Sequence, residues 1–295
     1  MQGTAVLMNE IGTVGVDHNL VIGASDDILL LEGGCLCCRP QGSITDGVSR
    51  LLSLNPTPKK IVIETSGAAN PYPILELLSR FTYNRKQLNF PTVISTFDNL
   101  SGEKTLSEFS EARFQLSAAD IILITKTDIT DRSDNASVQK IISNINSSAL
   151  VFDSNRVVDR EKLVKTLQDQ TKLQQHQRFR SSNNPSLTHG ETEFQTVGIK
   201  FEGFLKAESV QEWIDEILDL YGSNILRIKG ILRLQEFQRP VVLQCVRDFV
   251  YPLAELDETL GQIKENSVTA IGWEMHPALI SEAINLLSKQ ATNKN

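Results

Sequence analysis

Three of the chain's four cysteines, Cys35, Cys37 and Cys38, fall within four positions of the loop Gly33-Gly34-Cys35-Leu36-Cys37-Cys38-Arg39-Pro40. The apolar run Ile28–Leu31 precedes that loop. Thiolates are soft ligands, and Zn2+, Cu+ and similar ions take several of them at once. The spacing differs from the Cys-x-x-Cys of a zinc knuckle. Adjacent cysteines point different ways, so a turn at the glycine pair is required to bring them onto one ion. The competing reading is a run of reduced, buried cysteines, since a free thiol packs as a small hydrophobe.

Three further segments carry groups that could act on a ligand. Asn9-Glu10-Ile11-Gly12-Thr13-Val14-Gly15-Val16-Asp17-His18 is a glycine-containing loop after an apolar strand. There Glu10 is a hard or borderline metal ligand, and Asp17 could hold a magnesium-bound water. Ile61-Val62-Ile63-Glu64-Thr65-Ser66-Gly67 is an apolar strand that ends in an acid and a small turn. An acid so placed can position water or Mg2+, and the Gly67 amide can sense a terminal phosphate. Ile121–Thr125 followed by Lys126-Thr127-Asp128 is similar to a guanine-reading Asn-Lys-x-Asp motif, with Thr125 in the first place. A carboxylate at Asp128 accepts from guanine N1–H and the 2-amino group, a donor pair that adenine lacks. The Lys126 stem can lie over the ring. Each acid has a plainer reading as an exposed loop carboxylate or a cap.

These groups need a frame. In the first half, strand-sized apolar runs at Thr4–Met8, Ile28–Glu32, Lys60–Glu64, Thr92–Phe97 and Asp120–Thr125 alternate with helical stretches near 43–54, 71–80, 103–117 and 134–147. Strand, crossover, strand at this spacing predicts an α/β domain with a mostly parallel sheet. Polar residues collect just past the strand ends, where ligands bind in open α/β sheets. Residues 168–190 are rich in Gln, Asn and Ser and read as a polar linker, with His176 and His189 too sparse for a metal tract. Beyond it, strands at Phe194–Phe201, Leu226–Leu232, Val241–Val246 and Val268–Trp273, with helices at Ser209–Leu220 and Pro277–Ser288, predict a small α+β domain with an antiparallel sheet. The expected division is therefore 1–167, a linker at 168–190, and 191–292. Trp213, Trp273, Phe249 and Cys245 read as core.

The chain has 295 residues, a formal charge of -7 and 40% apolar residues. That allows real cores, and it argues against general nucleic-acid binding because no basic run offsets the acidity. No apolar stretch is long enough to span a membrane as a helix. Asn9-Glu10 interrupts any signal-like apolar run near Met1. Cysteines this closely spaced do not form a disulfide framework, so a reducing, cytoplasmic location is expected.

In order and spacing, these elements resemble the cobalamin-biosynthesis-type W (CobW) family, the metallochaperone branch of the G3E P-loop GTPases. The resemblance covers nearly the whole chain. Its most specific part is Gly33-Gly34-Cys35-Leu36-Cys37-Cys38, which matches a Gly-Cys-x-Cys-Cys loop. Asn9-Glu10-Ile11-Gly12 with Asp17, Glu64-Thr65-Ser66-Gly67 followed by Asn70-Pro71, and Gln115 ahead of Ala119-Asp120 fall in family order. Arg227-Ile228-Lys229-Gly230 looks like the Arg-x-Lys-Gly signature of the C-terminal domain. The resemblance implies a P-loop GTPase-like fold and a metal site at Cys35, Cys37, Cys38 and Glu10. It also implies that Asp17 and Glu64 face Mg2+ and the γ-phosphate, that Gly67 lies near the phosphate, and that Lys126 and Asp128 read guanine. Zn2+, Co2+ or another transition metal would pass to a client metalloprotein under GTP control, and a homo-oligomer is compatible with this.

One family element is absent: no Gly-Lys pair, and hence no Gly-x-x-x-x-Gly-Lys-[Ser/Thr] P-loop, occurs in the sequence. Met1 falls where the family would be entering its second strand, so an N-terminal truncation is expected, with loss of a central strand and exposure of sheet edges. GTP hydrolysis by this polypeptide is expected to be impaired. The alternatives are a non-hydrolysing metal-binding or client-binding protein, and a GTPase-like fold with structural cysteines.

Overall fold

A computed structural model describes residues 3–9, 28–31, 40–84, 86–129, 135–168, 194–222, 224–256 and 263–292. They form two compact units, Met1–Pro91 and Thr92–Asn295.

The first unit contains β1 (Thr4–Asn9), β2 (Ile28–Leu31), α1 (Pro40–Leu52), β3 (Lys60–Glu64), α2 (Pro71–Arg80) and a short hairpin of β4 (Thr82–Tyr83) with β5 (Lys86–Gln87). The three longer strands make a parallel sheet in the order β2-β1-β3. Its register places Asn9 opposite Leu31 and Met8 opposite Glu64. Alternation along β1 puts Ala5 and Leu7 on one face, where they meet Ile44, Val48 and Leu51 of α1 and Ile74 and Leu78 of α2. The i, i+4, i+7 spacing of the α1 residues is that of one helix face. Asn70 caps α2 by accepting from Tyr72 N at 3.1 Å, and Pro71 and Pro73 open the helix, where their missing N–H groups cost little.

The second unit begins with β6 (Ile94–Asp98), α3 (Gly102–Glu108), α4 (Ser110–Ala118), β7 (Ile121–Thr125), α5 (Asn135–Ile145), β8 (Leu150–Asp153) and α6 (Val157–Gln168). β6, β7 and β8 form a parallel sheet in that order. The single helix expected over 103–117 is two helices, broken at Phe109, whose backbone is extended. The break is stabilised because Arg113 Nη1 donates to the Leu106 carbonyl at 2.6 Å, satisfying the end of α3. Gly102 is needed at the start of α3, since a Cβ there would come within 2.7 Å of the Phe97 ring. β8 and α6 extend the fold beyond the expected elements.

The chain continues with β9 (Phe194–Phe201), α7 (Ala207–Tyr221), β10 (Ile225–Leu232), β11 (Val241–Val246), β12 (Phe249–Val250), β13 (Ala254–Glu255), β14 (Asn266–Trp273) and α8 (Pro277–Lys289). The sheet order is β12-β11-β10-β14-β9, antiparallel throughout, with β13 added on β11. One face packs on α7 and α8 through Val210, Trp213, Ile214, Ile217, Ile228, Leu243, Ile284 and Leu287. Trp213 is buried, and its indole N–H donates to the Ala283 carbonyl at 2.7 Å. Cys245 is a buried core residue, as its strand context predicts, and burial followed by the nearby Asp248 charge pushes its thiol up to about 12.

The opposite face of this sheet meets the β6–β8 layer. Phe114 of α4 sits edge-on to Phe194 with ring centroids 5.0 Å apart, and it also contacts Trp273. Thr196 Oγ1 donates to the Ile145 carbonyl at 2.9 Å. Every residue of β10 is buried, including Arg227 and Lys229. Strand alternation sends these two cations away from α7 and α8 and onto Asp120, the residue just before β7. Arg227 Nη2 donates to both Asp120 oxygens (2.9 and 3.1 Å), Arg227 Nη1 donates to the Ala118 carbonyl, and Lys229 Nζ lies 2.5 Å from Asp120 Oδ1. Asp120 Oδ2 also accepts from Val93 N at 2.8 Å, beside the start of β6. The Arg-x-Lys-Gly segment is thus a clamp that fixes the C-terminal sheet to β7.

Burial raises the Asp120 pKa, but the charges of Arg227 and Lys229 and the bonds from Lys229 and Val93 outweigh it and bring the group down to about 2. Burial and the Arg227 charge lower Lys229 to about 8, and Asp120 offsets only part of this. Two cations share one carboxylate, so the cluster carries a net positive charge in a dry setting.

Candidate nucleotide-binding site

In the first unit, Glu64 ends β3 and is exposed. The chain then turns through Thr65, Ser66 and Gly67, with Ala69 N donating to the Ser66 carbonyl at 3.0 Å, and enters α2 at Asn70. A Cβ at Gly67 would meet nothing within 4 Å, so its backbone faces open space that a ligand can approach. Ser66 Oγ is buried and has no hydrogen-bond partner among the described residues. A buried hydroxyl without a partner is costly, and a polar ligand at this turn would satisfy it. Glu10, Asp17, His18, Cys35, Cys37 and Cys38 lie outside the described residues, as does nearly all of the expected linker. Among the described residues, no group of three His, Cys, Asp or Glu side chains could hold a metal ion.

In the second unit the ends of β6, β7 and β8 lie side by side, because Asp98 pairs with Thr125 and Ile124 with Asp153. Lys126 and Asp128 follow β7 and are exposed. Lys126 has φ +58°, a left-handed conformation that costs about 1–2 kcal/mol in a non-glycine residue. Its ammonium bonds Asp98 Oδ2 at 2.6 Å. Asp98 Oδ1 accepts from Leu100 N (2.8 Å) and Ser101 N (3.3 Å), and Asp98 Oδ2 accepts from Ser101 Oγ (3.0 Å). The Lys126 bond is the main reason that Asp98 is lowered to about 2; burial opposes it, and the Leu100 N–H and the Ser101 hydroxyl and N–H assist.

On the other side, Asn155 Nδ2 donates to Asp128 Oδ1 at 2.9 Å and to Thr127 Oγ1 at 3.1 Å. Thr127 Oγ1 donates to Asp153 Oδ1 at 2.8 Å, which also accepts from Asn155 N at 2.9 Å. Thr125 Oγ1 makes a long 3.4 Å contact to the Phe97 carbonyl, and Asn99 N donates to the Thr125 carbonyl at 3.0 Å. The threonine in the first motif position therefore ties β7 to β6 locally. An ionised carboxylate offers about four acceptor sites, so Asp128 can keep its Asn155 bond and still accept a donor pair.

Of the expected site residues that are described, the structure brings Lys126 and Asp128 together on one rim, and it places Glu64 and Gly67 in one turn. Sequence reasoning missed Asn155 and Asp153 and left Asp98 without a role. Asp98 is one of the polar residues that directly follow an expected strand, Thr92–Phe97. Asn155 gave no signal, because the strand before it was not recognised.

A parallel sheet with polar loops at its carboxyl ends and an Lys-x-Asp pair on its rim defines a nucleotide-binding α/β protein with an appended antiparallel domain. The CobW/HypB/UreG nucleotide-binding domain family matches residues 1–153, and the cobalamin synthesis protein CobW C-terminal domain matches residues 194–286. The first match alone covers more than half of the chain, and the protein belongs to this family.

Among curated relatives, the chain is 30% identical to the zinc chaperone YjiA of Escherichia coli K12 over 152 residues, covering 50% of this chain and 47% of YjiA. It is 27% identical to the zinc chaperone YeiR of the same organism over 256 residues, covering 79% of this chain and 74% of YeiR. It is 26% identical to zinc-regulated GTPase metalloprotein activator 1 of Schizosaccharomyces pombe over 157 residues, covering 51% and 38%. In sequence, the match thus spans about half the length of YjiA. The crystal structure of Zn(II)-bound YjiA GTPase from E. coli superposes with a TM-score of 0.65 at 16% identity, covering 96% of this chain and 98% of that one, which establishes the shared fold.

Proposed function

We propose that this protein binds guanine nucleotide at the rim of β6, β7 and β8 and carries zinc on Cys35, Cys37 and Cys38 with Glu10, for delivery to a client metalloprotein. The observation that carries the nucleotide half is the Lys126–Asp128 pair, held on its rim by Asp98 and Asn155. Asp128 accepts from guanine N1–H and the 2-amino group, and the Lys126 stem covers the ring. Glu64 and Asp17 are assigned to the Mg2+ and γ-phosphate side, and Gly67 to a phosphate contact. The Ser66 hydroxyl, which has no partner among the described residues, and the open space at Gly67 suit a polyanionic ligand at that turn. For the metal half, three thiolates and a carboxylate form a donor set suited to tetrahedral Zn2+. A reducing cytoplasm would keep those thiols available. Names such as zinc chaperone and GTPase metalloprotein activator among relatives support the same reading.

The sequence holds no Gly-Lys pair, so no P-loop lysine can pair with the phosphates. Even one lost oxyanion donor costs roughly 10²–10³-fold in rate. A polypeptide limited to this sequence is expected to hydrolyse GTP slowly or not at all, and the second reading is a metal-binding or client-binding protein that does not turn over GTP.

Titration of the purified chain with Zn2+, alone and with GTP and Mg2+, separates the readings. Zinc affinity that changes with nucleotide supports the coupled chaperone. Tight but nucleotide-independent zinc supports the second reading. Cys35→Ser and Cys38→Ser should each weaken zinc in both cases, and unchanged binding in both variants would refute the metal assignment.

A further inference from the structure

We propose that Asp98 and Asn155, one from each strand end flanking β7, are positioning residues that set the two base-reading side chains and thereby the selectivity for guanine. The inference rests on the guanine-binding reading. Neither residue lies on the motif itself, and each meets a different reader. Lys126 has an exposed, flexible stem, and an unrestrained lysine would lose rotamer entropy on covering a ring. Its ammonium is instead drawn 2.6 Å from Asp98 Oδ2, so the stem is already stretched along the rim towards β6. Asp98 is a firm anchor because three donors from Leu100 and Ser101 fix both of its oxygens.

Asp128 is likewise exposed and would otherwise rotate freely. Asn155 holds one of its oxygens at 2.9 Å. Asn155 is in turn locked by Thr127 and, through its own backbone N–H, by the buried Asp153. The chain Asp153–Thr127–Asn155–Asp128 transmits the position of β8 to the carboxylate. Ordering a reader before the ligand arrives removes a cost from binding.

The two anchors should leave different signatures. Guanine engages both acceptor directions of Asp128, whereas hypoxanthine lacks the 2-amino group and engages one. Loss of Asn155 should therefore harm guanine more. Loss of the Asp98 charge should harm both purines alike, because the Lys126 stem covers either ring.

Calorimetric titration of the full chain with GDP and with inosine diphosphate tests this, with thermal melting as a control for folding. Asn155→Ala should weaken GDP about three- to tenfold and narrow the GDP-to-inosine-diphosphate ratio. Asn155→Asp, which sets a like charge against Asp128, should narrow it further. Asp98→Asn should weaken both nucleotides by a similar factor and leave the ratio intact. The inference is overturned if wild type prefers GDP and both Asn155 variants keep that preference, or if Asp98→Asn leaves both affinities unchanged. If wild type shows no preference for GDP, the guanine reading and this inference fall together.

Discussion

Replacing Asp120 by alanine should be among the most destabilising single changes in the second unit, and replacing Lys229 by methionine should be far milder. Asp120, Arg227 and Lys229 are almost wholly buried, with side-chain exposures of 5%, 1% and 4%. Asp120→Ala removes the carboxylate that both buried cations bond, and with it the acceptor of Val93 N. Removing one partner of a buried pair typically costs about 3–5 kcal/mol. For a unit of about 200 residues that lowers the melting temperature by about 6–20 °C. Lys229→Met removes the surplus cation and leaves a one-to-one pair in which Arg227 grips both Asp120 oxygens. Exchanging a buried charge for a packed apolar side chain of similar length is often neutral or stabilising.

The pH dependence follows from the same cluster. The folded Asp120 pKa lies below its ordinary 3.8, so its contribution is complete above that value and is lost as pH falls towards about 2. The folded Lys229 pKa lies below its ordinary 10.5. Between about 8 and 10.5 the unfolded chain holds a proton that the folded chain has released, so stability rises with pH across that window. Urea denaturation at a series of pH values should show this alkaline rise in wild type and not in Lys229→Met. Equal destabilisation by Asp120→Ala and Lys229→Met at pH 7 would refute the charge accounting.

Asp128→Asn replaces an acceptor pair with one donor and one acceptor, which suits xanthine better than guanine. GDP affinity should fall about ten- to a hundredfold while xanthosine diphosphate gains, as read by calorimetry. Cys245, buried and raised to about 12, should resist a thiol reagent at pH 8 until denaturant is added, and Cys245→Ser should leave the native thiol count unchanged. Among the described residues β3 and β6 are edge strands, each pairing on one side, and they expose Val62 (50%) and Ile94 (44%). Exposed apolar edges invite pairing between molecules. Val62→Lys and Ile94→Lys should lower light scattering at high protein concentration with melting temperatures within a few degrees of wild type.

The strands that sequence patterns locate best are those with a clear apolar run. Lys60–Glu64, Phe194–Phe201 and Val241–Val246 coincide with their expected spans, because apolar residues mark their identity and charged or turn residues mark their limits. β8 escaped because Leu150–Asp153 is only four residues long and too short for a period to show. The break at Phe109 escaped for a different reason. Helical periodicity continues across it, and only the Arg113 side chain, returning to the Leu106 carbonyl, makes the interruption stable. In the site, Lys126 and Asp128 were legible because their spacing encodes a chemistry. Asn155 was not, because it acts through a contact between residues 27 positions apart that only the register of β7 against β8 creates.

The same register links the Asp120 clamp to the Lys126–Asp128 loop, although they lie at opposite ends of β7. The strand spans five residues, about 17 Å at the usual rise, and Ile121, Ile122 and Ile124 on it are almost wholly buried. It pairs with β6 on one side and β8 on the other, so it cannot slide without breaking two ladders. Asp120 fixes its entry against β10, while Asp98 and Asn155 fix its exit. A displacement of β10 along β7 would therefore strain the clamp before it reached the loop. A rotation of the C-terminal sheet about the clamp could keep the Arg227 bonds but would repack Phe114 against Phe194 and Trp273 and bend or break the bond from Thr196 Oγ1 to the Ile145 carbonyl. Of the two motions, rotation opposes the smaller cost, because a buried ion pair loses more on separation than an aromatic contact loses on tilting.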